Sequence, residues 1–134
     1  HPSGSLGKNL SEISEIMIAD KKVPIISEES SVQNTVLKIS SGRLGCVVVM
    51  NKNKKICGFI SDGDMNRAIK KYKNIFEKRA KDIMSKKPKT ISSNCLVVDA
   101  LRLMNEKKIT ALLVMKSQKL QGLVHMHDIL GYLN

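Results

Sequence analysis

Aromatic residues are scarce in this chain, whose 134 residues include two Phe, two Tyr and no Trp. A core must therefore be built from aliphatic side chains, and a surface on which nucleic-acid bases stack against aromatic rings is not expected. No apolar run approaches the roughly 18 residues that a membrane-spanning helix needs, and no signal peptide is visible. These absences argue against nucleic acid and membrane as partners.

Cysteine is also rare, and the three residues present, Cys46, Cys57 and Cys95, are odd in number and lack the spacing of a metal site. Each lies in or beside an apolar run, so we interpret them as small buried residues of a protein in a reducing compartment, the cytoplasm. No obvious His and acid partners accompany them, and no glycine-rich phosphate loop is present. We therefore expect this chain itself to be non-catalytic.

The charge is strongly biased, with 23 Lys and Arg residues against 12 Asp and Glu residues and a net charge of +11. Such a balance suits nucleic acid, an anionic membrane or a phosphorylated ligand. The lysines are scattered through turns such as Asn51–Lys55 and Lys86–Lys89, and no known nucleic-acid-binding motif is present. We therefore favour a phosphorylated small molecule as the partner.

An internal repeat is the strongest pattern in the sequence. A shift of 65 positions superimposes Leu44–Met50 on Ile109–Met115, and a shift of 64 superimposes the turn Gly58–Asp64 on Gly122–Asp128. Repeats of this kind decide the fold. The sequence predicts an α/β (α+β) protein of two tandem β-α-β-β-α units, packed sheet to sheet about a pseudo-twofold axis.

The repeat also predicts the boundaries. Residues 1–12 are interpreted as the tail of a preceding domain or a linker, residues 13–73 as the first unit and residues 74–134 as the second. Helices are predicted over about residues 9–18, where apolar residues recur at helical spacing, and over residues 74–84 in the link. Because the first residue is His and not Met, we expect the chain to be a fragment of a longer protein.

The two Gly-to-Asp turns are the candidate ligand contacts. Gly58 and Gly122 let a flat group approach the backbone, and a carboxylate such as Asp64, three residues after the hydroxyl of Ser61, can accept from the vicinal diol of a ribose. The alternative is an ordinary helix start, in which these side chains only cap free N–H groups. For the first turn we leave both interpretations open. The residues expected to form the wall of a base pocket are Gly45, Cys46, Thr110 and Ala111.

The second turn differs from the first, because His125 and His127 stand where the first has Ser61 and Gly63. With Asp128 the two histidines suggest a metal site, but we favour a neutral imidazole that bonds to a sugar, a phosphate or the neighbouring turn, and no metal. Arg43 and Arg67 could each grip an anion bidentately, although a solvated charge is at least as good an interpretation of both.

The Gly58–Asp64 turn resembles the ligand-contact turn of tandem cystathionine-β-synthase-type (CBS) domains, which reads Gly, apolar, any residue, Ser or Thr, any two residues, Asp. The second turn departs from this pattern at His125. The chain also resembles arabinose-5-phosphate isomerases over essentially its whole length, including their paired histidines, so that His125 is expected in that family. The stretches that carry this resemblance are His1–Leu10, Ser61–Arg67, Ile109–Leu112 and Gly122–Leu130. Asn66 and Ser3 depart from a usual Arg and a usual Gly.

The resemblance implies a regulatory CBS pair that binds a nucleotide or sugar nucleotide and biases an attached isomerase domain. The parent enzyme would interconvert D-ribulose 5-phosphate and D-arabinose 5-phosphate for Kdo and lipopolysaccharide synthesis, with CMP-Kdo as a candidate feedback ligand and no required cofactor. His1 would match a histidine of the isomerase active-site region. Homodimers of CBS pairs within a tetrameric parent are expected. The alternatives are a ligand-free dimerisation module of the same enzyme and a residual enzyme, for which we expect no activity.

Overall fold

The computed structural model describes residues 7–134. The expectation for His1, and the part of the resemblance in residues 1–6, lie outside the described residues. Strands β1 to β8 are Ile18–Ala19, Ile25–Ser27, Cys46–Met50, Ile56–Ser61, Ser85–Lys86, Thr90–Ile91, Ala111–Lys116 and Lys119–His125. Helices α1 to α5 are Val32–Gly42, Asp62–Lys71, Ala80–Ile83, Val97–Lys107 and Met126–Leu133, and 3₁₀ turns cover Ile13–Glu15, Asp20–Lys22 and Ile75–Glu77.

The chain divides into two compact units, which are described separately. The central unit is Val23–Pro88, and the terminal unit joins the described residues up to Lys22 with Lys89–Asn134. Each unit has its own four-stranded sheet and its own core. The predicted mixed α/β class is confirmed, whereas the packing of the two sheets and the boundaries at residues 12 and 73 stay predictions.

The sheet of the central unit has the order β2-β3-β4-β5. β2 is parallel to β3, and the other two pairs are antiparallel. Val47, Val48 and Val49 in β3 have no exposed surface, which explains the continuous apolar run in the sequence. Helix α1 begins after Ser31, whose Oγ accepts a hydrogen bond from the Asn34 N–H at 3.1 Å. The core consists of Ile26, Val32, Val47, Val49, Ile60, Ala68, Ala80 and Ile83.

The sheet of the terminal unit has the order β1-β8-β7-β6. β6 is parallel to β7, and β1 and β7 are both antiparallel to β8. The core is aliphatic, as the shortage of aromatic residues predicts, and consists of Ile13, Val97, Ala100, Met104, Leu112, Val114, Val124 and Ile129. Among the described residues, no helix has both the length and the apolar content to cross a membrane.

The helix predicted over residues 9–18 is wrong over most of its length. The chain there forms a single 3₁₀ turn at Ile13–Glu15 and then the edge strand β1, which pairs with β8. Ile13 is completely buried, and its N–H donates to the carbonyl of Cys95 at 2.8 Å. These contacts with distant residues outweigh the local helical periodicity. The helix predicted over residues 74–84 is likewise reduced to a 3₁₀ turn and the four residues of α3.

The two edge strands reveal a part of the repeat that the Gly-to-Asp turns do not show. Ile16-Met17 precedes β1, and Ile83-Met84 precedes β5, at a shift of 67 positions. Met17 lies against Gly122 of β8, and Met84 lies against Gly58 of β4. Each sheet therefore takes its antiparallel edge strand from the segment that starts the other repeat.

Candidate functional site

The first Gly-to-Asp turn is a complete helix cap. Ser61 is the N-cap of α2, and its Oγ accepts a hydrogen bond from the Asp64 N–H at 3.3 Å. In return, the Ser61 N–H and Oγ–H donate to Oδ2 of Asp64 at 2.9 Å and 3.0 Å. This reciprocal pair satisfies N–H groups that a helix start leaves free. The capping role that the sequence left open is therefore present.

The other oxygen of Asp64 is also occupied. Oδ1 accepts from Nη2 of Arg67 at 2.8 Å and from the hydroxyl of Ser85 at 2.5 Å. Asp64 is buried, with 6% of its surface exposed. Burial alone raises the pKa of this carboxyl, but the hydrogen bonds from Ser85, the Ser61 N–H, Arg67 and the Ser61 hydroxyl together outweigh it and lower the pKa below its ordinary value.

The second turn has the same frame, with His125 in the place of Ser61. His125 is the N-cap of α5, and its Nδ1 accepts from the His127 N–H at 3.1 Å. The His125 N–H donates to Oδ2 of Asp128 at 3.2 Å. The two imidazole rings stack with their centroids 4.8 Å apart. Within residues 7–134, no group of three or more His, Cys, Asp and Glu side chains could hold a metal ion.

The predicted wall residues lie next to the caps within each unit. Cys46 pairs with Ser61 across β3 and β4, and Ala111 pairs with His125 across β7 and β8. The first residue of each middle strand therefore faces the N-cap of the following helix. Gly45 precedes Cys46 in the left-handed region, at φ 69°, where a residue with a side chain is strained.

Thr110 occupies the position in the second unit that corresponds to Gly45. It is exposed, and its carbonyl accepts from the N–H of Met126, the first residue of α5, at 2.7 Å. The strand end and the helix start are thus tied together in that unit. Arg43 is exposed and ends α1 with φ 59°, while Arg67 lies over the first turn of α2 beside Gly63.

The two glycines of the turns are buried against their own unit. A Cβ on Gly58 would overlap the side chain of Met84, and a Cβ on Gly122 would overlap the carbonyl oxygen of Ile18. The open space that the sequence assigned to a ligand is therefore filled by the segment of each edge strand. Contact of a ligand with either glycine stays a prediction.

Ser85 is the functional candidate that the sequence did not reveal. It lies 21 positions from its partner Asp64, in a two-residue strand without periodicity of its own. The repeated Ile-Met pair, which precedes both edge strands, is the signal that could have placed it beside β4.

Cys46 is expected to resist alkylation in the native protein. Burial, with a smaller contribution from the negative charge of Asp62, raises the pKa of its thiol from 9.0 to about 12, so at pH 8 its thiolate fraction falls roughly a thousandfold. Burial also raises the pKa of Cys57 and Cys95, which are less buried. Mass spectrometry after iodoacetamide treatment should find Cys46 unmodified until urea unfolds the chain. Labelling of Cys46 at the rate of Cys57 would contradict this expectation.

Comparison with known proteins finds one family model at two places in the sequence. A family model described as the CBS domain matches residues 12–71 and again residues 80–134. An uncharacterized protein of Rickettsia prowazekii is 37% identical over 131 residues, which cover 98% of this chain and 40% of that protein. The arabinose 5-phosphate isomerase of Yersinia pestis is also 37% identical, with 97% of this chain and 40% of the isomerase covered.

Solved structures share the fold at lower identity. The CBS domain of a bacterial CNNM/CorC family Mg²⁺ transporter in complex with ATP has a TM-score of 0.83 and 17% identity, with 98% of this chain and 93% of that chain covered. CBSX2 in complex with AMP has a TM-score of 0.78 and 19% identity, with 90% and 94% covered. At these identities the likeness is one of fold alone.

Proposed function

Because this chain belongs to the CBS domain family, whose model matches it twice, we propose that it is a regulatory module that binds a nucleotide or a sugar nucleotide. Two proteins of the same fold were solved with AMP and with ATP. Net charge supports an anionic ligand, since the chain carries +11. The proposal of a nucleotide ligand is carried over from these proteins of the same fold.

The observation that carries the proposal is the recurrence of one local geometry in both units. In each, the N-cap residue of a helix pairs with the first residue of the middle strand, and an Asp three positions later bonds back to the cap. The pairing places the helix start beside the strand end in each unit, so that one ligand could contact both. Asp64 or Asp128 would accept from sugar hydroxyls, and Ser61 or His125 would bond to sugar or phosphate oxygens. Cys46 or Ala111 would lie beside the base.

The attached enzyme is proposed from the relatives. This chain spans 40% of the length of the Yersinia pestis isomerase, so the remaining length of such a protein would carry the chemistry. We propose a cytoplasmic parent that interconverts D-ribulose 5-phosphate and D-arabinose 5-phosphate, regulated through this chain by a downstream CMP-sugar such as CMP-Kdo. A differential affinity of about 1–3 kcal/mol between enzyme states is enough for such regulation.

Titration calorimetry of the chain with AMP, ATP, CMP and CMP-Kdo tests the proposal. We expect at least one of these ligands to bind, and Asp64→Asn or Asp128→Asn to weaken it about tenfold, since a carboxylate bonded to a diol is worth more than a neutral acceptor. Asp99→Asn is the matched control, because Asp99 is a half-exposed residue in an ion pair with Arg102. If the wild type binds none of the four ligands, the proposal is overturned.

A ligand-free interaction module is the second candidate. Val36 and Leu37 of α1 and the nearby Phe76 line an open apolar surface with Gln33, and 66% of Phe76 is exposed. Exposed apolar clusters of this kind often mark contacts with other proteins. This candidate predicts indifference to every nucleotide and a sedimentation coefficient that falls when Leu37→Glu is introduced.

A further inference from the structure

The hydroxyl of Ser85 links the edge strand β5 to the start of α2. β5 consists of only Ser85 and Lys86, which pair with Phe59 and Gly58 of β4. The hydroxyl reaches past this ladder and donates to Oδ1 of Asp64. β5 has few backbone partners, so this hydrogen bond adds to the packing of Met84 against Gly58 in holding the strand in place.

The donors around Asp64 leave no acceptor site for a further molecule. A carboxylate has about four lone-pair sites, and here Oδ2 receives two hydrogen bonds from Ser61 while Oδ1 receives those of Arg67 and Ser85. A ribose diol needs acceptors for both of its hydroxyl groups. It can gain them only by displacing a donor, and the donors on Oδ1 are the ones that lie outside the capping box.

We propose that Ser85 and the ribose diol of a bound nucleotide compete for Oδ1 of Asp64, so that binding releases β5. This inference rests on the proposed function, because it names how ligand binding at the first turn reaches the rest of the chain. β5 lies in the segment that starts the second repeat, between α3 and β6. A ligand at Asp64 therefore loosens the segment that starts the second repeat.

The second turn serves as an internal comparison, because the two positions that supply donors to Oδ1 of Asp64 carry different residues there. The position of Ser85, opposite Phe59, is taken by Ile18, opposite Leu123. The position of Arg67 corresponds to Gly131 in the repeat. Neither residue has a side-chain donor, so competition of this kind is confined to the turn of the central unit.

Ser85→Ala and Ser85→Thr are the matched pair that tests the inference. Ser85 is exposed, so both variants should fold, which a thermal melt will verify. With a nucleotide that binds the wild type, calorimetry should show about three- to tenfold tighter binding to Ser85→Ala, which lacks the competing hydroxyl. Ser85→Thr keeps the hydroxyl and should stay within about twofold of the wild type. The gain in Ser85→Ala should disappear with the 2′,3′-dideoxy form of the same nucleotide.

Amide hydrogen exchange supplies the second measurement. The nucleotide should speed exchange at Ser85 and Lys86 in the wild type, and Ser85→Ala should show fast exchange without it. The competition is overturned if the wild type binds as tightly as Ser85→Ala. It is also overturned if amide exchange in β5 of the wild type slows with ligand. In both cases the proposed function stands. If neither the wild type nor Ser85→Ala binds any of the nucleotides, the competition and the proposed function are both overturned.

Discussion

Replacing Gly122 by Ala is expected to destabilise the chain by about 3 kcal/mol, at the upper end of the range for overpacking a buried site. The added Cβ would overlap the backbone carbonyl of Ile18, the residue that pairs with Leu123 at the edge of the terminal sheet. A backbone atom in a paired strand cannot turn away as a side chain can, so β1 must shift or detach. Urea unfolding followed by circular dichroism measures the loss.

Two other glycines provide the controls for this change. Gly58→Ala should cost about 1 kcal/mol, because the atoms that its Cβ meets belong to the flexible side chain of Met84. Gly131→Ala should stabilise the chain by about 0.5–1 kcal/mol, since this position lies inside α5 and no atom of residues 7–134 comes within 4 Å of the new Cβ. Equal losses for Gly58→Ala and Gly122→Ala would show that β1 adapts as freely as Met84.

Replacing Asp64 by Ala is expected to lower the free energy of unfolding by about 3 kcal/mol at pH 7, because it removes a helix cap and a buried acceptor at once. The N–H and hydroxyl of Ser61 and the hydroxyl of Ser85 all lose their acceptor. Arg67 contributes little to this loss, since 71% of its side chain is exposed. Asp128→Ala is the matched control and should cost about 1 kcal/mol, as the loss of one cap.

The cost of Asp64→Ala should shrink in acid. The pKa of Asp64 is lower in the folded chain than its ordinary value of 3.8. The stability that the ionised carboxylate contributes is therefore fully present above the ordinary value and is lost as the pH falls through the lowered value. Urea unfolding of the wild type and Asp64→Ala at pH 7 and pH 2.5 should show a smaller difference at pH 2.5. A difference that stays constant would mean that shape, and not charge, makes Asp64 stabilising.

The regular elements of the middle of each unit could be predicted because their signals are local. The apolar runs Leu44–Met50 and Ile109–Met115 predict two buried strands, and the structure places β3 and β7 there with starts two residues later. Helix α2 begins at Asp62, directly after Ser61, as the interpretation of the first turn as a helix start implies. A strand that is buried along its whole length needs apolar residues at every position, so its sequence identifies it whatever its neighbours are.

The edge strands could not be predicted, because their stability comes from residues far away in sequence. Ile18 and Leu123 pair although they lie far apart in the sequence. A strand of two residues is too short to show a local pattern that predicts this pairing. The apolar spacing around Ile13 is helical in period, but burial against the other repeat decides its conformation. The Ile-Met pair before each edge strand was the one available signal, and it is too short to be convincing alone.

The sequence alone determined that this chain is a tandem repeat of the CBS type, because the same Gly-to-Asp turn follows the same buried strand twice. Only the tertiary structure decided which side chains contact the residues of those turns. In the structure, the side chain of Met84 packs against Gly58, and the hydroxyl of Ser85 in an edge strand donates a hydrogen bond to Asp64. The reason is physical: burial of a carboxylate requires donors, and one donor to Asp64 comes from Ser85, 21 positions away in the sequence.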